Sequence, residues 1–497
     1  MLSRARQSCT GLATAVQASS VLHGPGQCCP GLAIRERAGT LTGVRLALET
    51  AAARAAGALS RAAGRGGGTT LPGKLLWKVD PGAVDRLAAR LSQGTLLVSA
   101  TNGKTTTASM VATILAPRVR LAHNRSGANL ISGVASTLLA TKDAELGLFE
   151  CDEAALPEIA RRVRPRAICL GNLFRDQLDR YGELEIVAER WRDAVHALGD
   201  ETLLVVNGDD PQVGDLARGR REATVFGLDD PRQARPHLQH AADSKHCVRC
   251  GTPYVYAAAY IGHLGDYRCP NCGHARPPLD IAGRAVELNG LDSASFDLVT
   301  REETSRVTLQ LPGLYNVYNA LAAASLTLAL GVPREEVVSG LERFGAAFGR
   351  FERIDIDGRR LLMLLIKNPA GANEAVRTVV QGGAPRVALI ALNDAIADGR
   401  DVSWIWDADF EPLLEGLETL VATGDRAAEL ALRFAYAGLP RARIEVVPAL
   451  SAGLERGLEL TPRGGELVCL PTYTAMLALR RLVADAGHVR NYWEQAA

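Results

Sequence analysis

No run of apolar residues in this sequence reaches the roughly 18 needed for a helix to cross a bilayer, so no membrane span is expected. An excess of one charge is missing as well. Lysine and arginine total 56 against 55 acids, a net charge of +1, so no global basic field points to nucleic acid. A disulfide framework is also lacking. The chain has ten cysteines in 497 residues, and only four are paired at metal-binding spacing, which fits a reducing cytosol. Internal repeats and long low-complexity linkers are absent too.

What is present is a globular composition, 47% hydrophobic and 22% charged, in a chain too long for one ordinary core. Two or three domains are expected. Residues 1–43 carry Arg4, Arg6, Arg35 and Arg37 against a single acid, Glu36. A mitochondrial-type presequence has that bias. Without a clear amphipathic helix, the segment reads as an atypical or disordered extension. The pattern becomes helical from Val44 to Ala63, and "GRGGGTTLPGK" (Gly64–Lys74) reads as a flexible connector.

From Thr95 on, short apolar runs alternate with helical stretches. "TLLVSA", "LGLFEC", "RAICLGNL" and "TLLVVNGDD" read as buried parallel strands, with helices such as Thr105–Leu115 and Glu183–Leu198 between them. That is an α/β, doubly wound arrangement. β-like stretches follow ("AVELNG", "SASFDLVT", "SRVTLQLPG"), then an Ala/Leu-rich helix, Asn319–Leu330. A boundary falls near Phe344–Ile354. Beyond it "LLMLLI", "RVALIAL", "TLVATG", "RIEVVP" and "ELVCLP" again alternate with helices. The organisation expected is a central domain over residues 44–348 and a smaller C-terminal α/β domain over 349–497.

"LLVSATNGKTTT" reads as strand, tight loop, helix. Loop N–H groups and a helix N-terminus would face phosphate oxygens, contributed by Asn102, Gly103, Lys104, Thr105 and Thr106. Lys104 would reach the terminal phosphates of ATP, and the Thr105 hydroxyl would ligate Mg²⁺. Ala100 stands where the generic pattern has glycine. In "LFECDEA", Glu150, Asp152 and Glu153 fall at the carboxyl edge of a strand, where one carboxylate could hold Mg²⁺ between phosphates. A helix N-cap cluster led by Asp152 is the plainer alternative.

Cys247, Cys250, Cys269 and Cys272 form two Cys-x2-Cys pairs, the spacing of a four-cysteine zinc ribbon inserted over residues 244–277. Gly251 and Gly273 follow the second cysteine of each pair and suit the tight turn that aims two thiolates at one ion. A closed Cys₄ site is structural, and so small an excursion would take its fold from Zn²⁺. His246, His263 and His274 are expected on the surface. Few basic residues lie between the pairs, so the stacking surface of a nucleic-acid-binding ribbon is missing. Cys151, Cys169 and Cys469 sit in strand-like runs and read as small buried hydrophobes. None fits the Gly-x-Cys-x-Gly elbow of a glutaminase nucleophile.

Taken together, "ATNGKTTT", "ECDEA", "GNLFRDQLDRYG", "LPGLYNVYNALAAA" and "FGRFERI" resemble the Mur ligase superfamily over about residues 70–497. These ATP-dependent ligases join an amine to a carboxylate through an acyl phosphate. The resemblance implies Glu150 at the Mg²⁺ position, Asn316 and Asn319 near the adenine, and Arg350 approaching the nucleotide. Gln177 replaces the usual histidine, and "KNPAGANE" stands where relatives often carry an Asp-led loop. With the cysteine pairs and "LNDAIADGRDVSWIWDADFE", these departures resemble one branch, the MurT family of ligase-like subunits of lipid II isoglutaminyl synthase.

That branch implies amidation of the D-glutamate α-carboxylate of the lipid II stem peptide to D-isoglutamine. It also implies a heterodimer with a GatD-like glutaminase subunit, and a cytoplasmic location at the inner face of the membrane. An amino-acid-adding Mur or folylpolyglutamate-type ligase is the alternative, and a zinc-ribbon nucleic-acid-dependent ATPase is a more distant one. Acids and tryptophans in "DGRDVSWIWD" follow a strand and suit a partner-facing surface. In the MurT family an Asp of this segment is thought to complete the partner's catalytic triad. Asp401 is the first choice here, with Asp398 and Asp407 as rivals and an Asp-capped helix start as the plainer reading.

Overall fold

Buried apolar runs decide the centre of the molecule. In this computed structural model β1 (Thr95–Ser99), β3 (Leu146–Cys151) and β4 (Ala167–Leu170) are buried along their whole lengths, and β5 (Leu203–Asn207) nearly so. A strand without polar alternation needs cover on both faces, which a parallel sheet flanked by helices supplies. The structure describes residue 50 and residues 70–124, 127–176, 183–239, 242–345 and 351–489. The expectations for residues 1–43, for Gln177 and for Arg350 lie outside the described residues, as does most of Val44–Ala63.

Five more strands complete the sheet: β2 (Leu121–His123), β6 (Ala223–Leu228), β9 (Ile281–Asn289), β10 (Ser293–Val299) and β11 (Thr304–Leu309). The order is β2-β3-β1-β4-β5-β6-β9-β10-β11. All neighbours are parallel as far as β9, and the last two strands close antiparallel. After β1 the chain runs out to β2, returns through β3, and crosses β1 to continue at β4. The carboxyl end of β1 is therefore the topological switch point, where open α/β sheets bind ligands. The helix Leu314–Ala329 is buried on nearly all sides and packs on β5, β6 and the helix Lys104–Leu115. Its alanines permit that close approach. It begins five residues before the expected start because Gly313, at φ +89°, turns the chain directly into it.

A second sheet is built from β12 (Phe351–Ile356), β13 (Arg359–Leu364), β14 (Val387–Ala391), β15 (Thr419–Thr423), β16 (Ile444–Val446) and β17 (Glu466–Pro471), in the order β12-β13-β17-β14-β15-β16. Only β12 runs antiparallel. β17 returns between β13 and β14, so a second switch point lies at the carboxyl ends of β14 and β17. Separate apolar clusters cover its two faces. The remaining strands, β7 (Val255–Ile261) and β8 (Leu264–Arg268), form a hairpin inside the cysteine segment. Both sheets fall within one compact unit, residues 49–497.

The expected connector is corrected in its last four residues. Leu71–Lys74 open a helix, Leu71–Val79, because Pro72 sits at its amino end, where a missing N–H costs nothing. Gly73 lets this helix pack onto the helix Ile131–Ala140. Its N–H donates to Ser136 Oγ at 2.9 Å, and a Cβ there would fall 1.9 Å from the Ser132 carbonyl oxygen. Gly73→Ala should therefore lower the stability of this region by about 1–3 kcal/mol. Exposed Lys74→Ala should change it by less than about 0.5 kcal/mol. Urea titration of both variants checks this, and equal midpoints would contradict the contact.

Candidate nucleotide site and cysteine knuckle

The loop after β1 is fixed by one glycine. Gly103 has φ +90°, and a Cβ on it would meet Asn319 Oδ1 at 2.0 Å. Ala100 is tolerated in place of glycine because its φ is not positive. The helix Lys104–Leu115 starts at once and carries no acid in its first turn, so its N-terminal dipole is left for an anion.

Lys104 is buried. Its Nζ donates to the carbonyls of Ala100 and Thr101 and pairs with Glu153 Oε2 at 2.7 Å. In this state the ammonium is held by Glu153 at the carboxyl end of β3. Burial alone would lower its pKa, but the Glu153 carboxylate, with Asp152 and Glu150 behind it, outweighs burial and raises it. The reverse balance holds for Glu153: burial opposes its charge, and Lys104 keeps its pKa below the ordinary value. Glu150 lies beside β1 because Val98 pairs with it in register.

Two residues that sequence reasoning missed hold these acids. Asn124 Oδ1 accepts from the Glu150 N–H at 2.9 Å while its Nδ2 donates to the Glu150 carbonyl at 2.8 Å. Trp191, fully buried, donates its indole N–H to the Glu153 carbonyl at 2.8 Å. Asp152 turns the chain locally, accepting from the Ala154 N–H at 3.2 Å, but it does not cap a helix. The next one, Leu156–Val163, has Ala155 at its N-cap and no side-chain capping bond, so the N-cap reading is corrected.

The second sheet reaches the same loop. Asn172, after β4, clamps Asn102 through two hydrogen bonds, from the Asn102 N–H at 2.9 Å and to its carbonyl at 3.0 Å. The Asn102 side chain in turn pairs amide to amide with Asn368, at 3.2 and 3.1 Å. Lys367 forms an ion pair with the buried Asp176. Asn102, Gly103, Thr106 and Asn319 therefore line one pocket with Lys367 and Glu374 of the second domain. Asn316 does not line it. Its Oδ1 accepts from Asn319 Nδ2 at 3.1 Å, and its own Nδ2 is tied to the Pro312 carbonyl.

The four cysteines converge. Cys247 and Cys272 Sγ are 3.5 Å apart, Cys250 and Cys269 Sγ are 3.4 Å apart, and all four atoms lie within 4.8 Å of one another. Tetrahedral zinc with Zn–S bonds of about 2.3 Å places its sulfurs roughly 3.8 Å apart, so the cage fits Zn²⁺. Gly251 and Gly273 share φ +73°, one left-handed turn per knuckle.

The expectation of surface histidines is corrected for two of three. His246 is exposed, but His263 and His274 are buried. His274 Nδ1 bonds the Tyr254 hydroxyl at 2.7 Å within a small tyrosine core, and His263 packs on Phe174 with Nε2 3.3 Å from Asp210. The hairpin folds inward, and its tip residues Ile261 and Leu264 line the nucleotide pocket.

At the second switch point the three candidate acids separate. Asp398 is buried and accepts from the Thr474 N–H at 2.7 Å and from its hydroxyl; burial pushes its pKa up. Asp407 is 3.7 Å from Arg175. Asp401 is exposed, with one oxygen accepting from the Ser403 N–H at 2.8 Å to open the short turn Ser403–Trp406. Bonds from Ser403 hold its pKa below the ordinary value. Trp406 is 46% exposed and Tyr436 76% exposed, with rings 5.7 Å apart, so an apolar patch stands close to Asp401 in the chain.

Comparison with known proteins agrees with this architecture. The family described as Mur ligase middle domain matches residues 98–275, and MurT ligase C-terminal matches residues 365–476. Over 425 residues the chain is 32% identical to the lipid II isoglutaminyl synthase (glutamine-hydrolyzing) subunit MurT of Staphylococcus aureus (strain N315), covering 84% of this chain and 93% of that one. The subunit of the same name from Streptococcus pneumoniae (strain ATCC BAA-255 / R6) is 33% identical over 435 residues, 86% and 94% of the two chains. The fold is shared with a pseudomurein peptide ligase type C from Methanothermus fervidus: TM-score 0.63, 20% identity, 81% and 80% coverage. It is also shared with the MurF ligase from Thermotoga maritima in complex with ADP: TM-score 0.59, 13% identity, 85% of each chain.

The knuckle generates a direct expectation. The purified chain should carry about one zinc per molecule. The double variant Cys269→Ser/Cys272→Ser should lose that zinc and melt earlier. Elemental analysis decides; a zinc-free wild type, or unchanged zinc in the variant, would refute the site.

Proposed function

Because the chain belongs to the MurT family of Mur ligases, we propose that it amidates the D-glutamate α-carboxylate of the lipid II stem peptide. ATP would phosphorylate the carboxylate, and ammonia from a separate GatD-like glutaminase subunit would displace phosphate to give D-isoglutamine. The observation that carries this reading is the pocket at the β1 switch point, lined by residues of both sheets' domains. A free carboxylate cannot be amidated directly, because oxide is a poor leaving group; phosphorylation replaces it with phosphate.

The chain's own groups suit that chemistry. Lys104, kept cationic by its acids, would turn from Glu153 to the terminal phosphates. Thr105 and Glu150, hard oxygen donors at the loop and at the end of β3, would hold Mg²⁺, which neutralises charge on the transferred phosphoryl group. Arg350, by resemblance, would add to that. The Asn102–Asn368 and Lys367–Asp176 contacts close the cleft, which would keep water from the acyl phosphate.

A separate nitrogen source is supported by the cysteines. Among the described residues Cys151, Cys169 and Cys469 are buried in strands, and burial pushes each thiol's pKa up, that of Cys169 to about 12. They are poor nucleophiles. Docking of the glutaminase on the Trp406–Tyr436 patch would bring Asp401 to its catalytic His. Asp398, already committed to Thr474, is the weaker candidate. No helix among the described residues is long and apolar enough to cross a membrane, so lipid II would be met at the membrane surface.

Lys104→Ala and Glu150→Ala should each lower ammonium-driven amidation by at least about 100-fold while the chain stays folded. Full activity in either purified variant would remove that residue from the site.

Asp401→Asn should lower glutamine-driven amidation by the complex about 100-fold or more yet spare amidation driven by added ammonium. Assaying one variant with both nitrogen sources separates the roles. Equal loss with both would place Asp401 in the ligase site or the fold.

A further inference from the structure

One buried carboxylate in the pocket has no place in the steps above. Glu374, on the helix Pro369–Gln381, is 3% exposed and lines the pocket. Its Oε1 accepts from Arg235 Nη2 at 2.7 Å. Its Oε2 is buried and accepts no hydrogen bond among the described residues; Arg377 Nη1 stands 4.0 Å away. A buried carboxylate oxygen left without a donor is costly, and the usual resolution is a ligand or water. The pocket's own donors, Tyr315, Lys367 and its asparagines among them, make no hydrogen bond to this oxygen. Ile261 and Leu264 are aliphatic, and the Tyr318 hydroxyl is committed to Asp209 at 2.6 Å.

We infer that Glu374 Oε2 accepts a hydrogen bond from the ribose hydroxyls of the bound nucleotide. This rests on the reading of the pocket as an ATP site. Phosphates present only acceptors and would repel a carboxylate, so the donor must be a ribose hydroxyl or the exocyclic amine. A base edge pairs a donor with an acceptor, which a side-chain amide such as Asn319 matches. A carboxylate matches donors alone, as when Asp or Glu holds a ribose hydroxyl in dinucleotide folds. Arg235 is the positioning residue. Its N–H bonds the Ala259 carbonyl of β7 at 2.7 Å and its Nε bonds the Tyr260 carbonyl at 3.2 Å, so the cysteine-bearing hairpin aims Glu374.

The test is calorimetric titration of the full chain with a non-hydrolysable ATP analogue, its 2′-deoxy and 3′-deoxy forms, and its inosine form. Wild-type chain should bind at least one deoxy form about 10- to 100-fold more weakly than the parent. Glu374→Ala should bind the parent with that weaker affinity and cease to discriminate. Arg235→Ala, which keeps the carboxylate, should lose part of the discrimination. Equal wild-type affinity for parent and both deoxy forms overturns the inference, and that comparison needs no variant. Discrimination that persists in Glu374→Ala overturns it too, as does a preference over inosine that vanishes there, which moves the contact to the base. A wild type that binds no ATP analogue fails the ATP reading itself, and the ribose contact with it.

Discussion

A lysine ammonium buried against three carboxylates at the end of β1 is the constraint around which the central domain is arranged. Taking ions out of water costs several kcal/mol each unless they are paired and hydrogen-bonded. Lys104 meets this with Glu153 and two loop carbonyls. One ammonium does not balance Glu150, Asp152 and Glu153, all of them buried. The surplus negative charge favours a divalent cation at the same strand ends. Phosphate arriving with that cation would take over the lysine. Asn124 and Trp191 hold the backbone of the acids, so such an exchange would leave the acids in place.

The loop on the other side of that lysine is shared between domains. Asn102 is clamped by Asn172 from its own sheet and paired with Asn368 from the second one. This amide pair is neutral, so breaking it would strand no charge. Lys367 and Asp176 lie differently. Burial raises the Asp176 pKa, although Lys367 opposes this, so the charged pair depends on the lysine staying in place.

Much of this was legible in the sequence, for identifiable reasons. Runs such as "LGLFEC" announce strands covered on both faces, and "ATNGKTTT" with Gly103 announces a tight loop that turns a strand into a helix. The four cysteines announce their own convergence by spacing. β2 escaped notice because three residues show no periodicity, and Leu71–Lys74 misled because Pro-Gly marks a helix start as readily as a turn. Asn124, Asn172 and Trp191 carry no local signal at all. Their partners lie 26 to 70 residues away, so only the folded chain reveals them. His263 was misjudged for the same reason: nothing near it says that the hairpin tip turns inward.

That inward turn changes what the cysteine insertion is. A ribbon that merely stapled a surface loop could be moved without consequence, and this one cannot. Gly262 at its tip packs against Phe174, where a Cβ would come within 2.8 Å. The Gly262 N–H donates to Gln239, whose amide reaches Asp409 of the second domain at 3.4 Å. The Tyr260 carbonyl receives Arg235 from one side and Arg377 from the other. Hairpin, nucleotide pocket and the helix Pro369–Gln381 thus share backbone acceptors. A shift of the knuckle by an ångström must be felt at Glu374, because hydrogen bonds of 2.7 Å tolerate little displacement. The four thiols, distant in role from phosphoryl transfer, are mechanically part of the wall against which the nucleotide would rest.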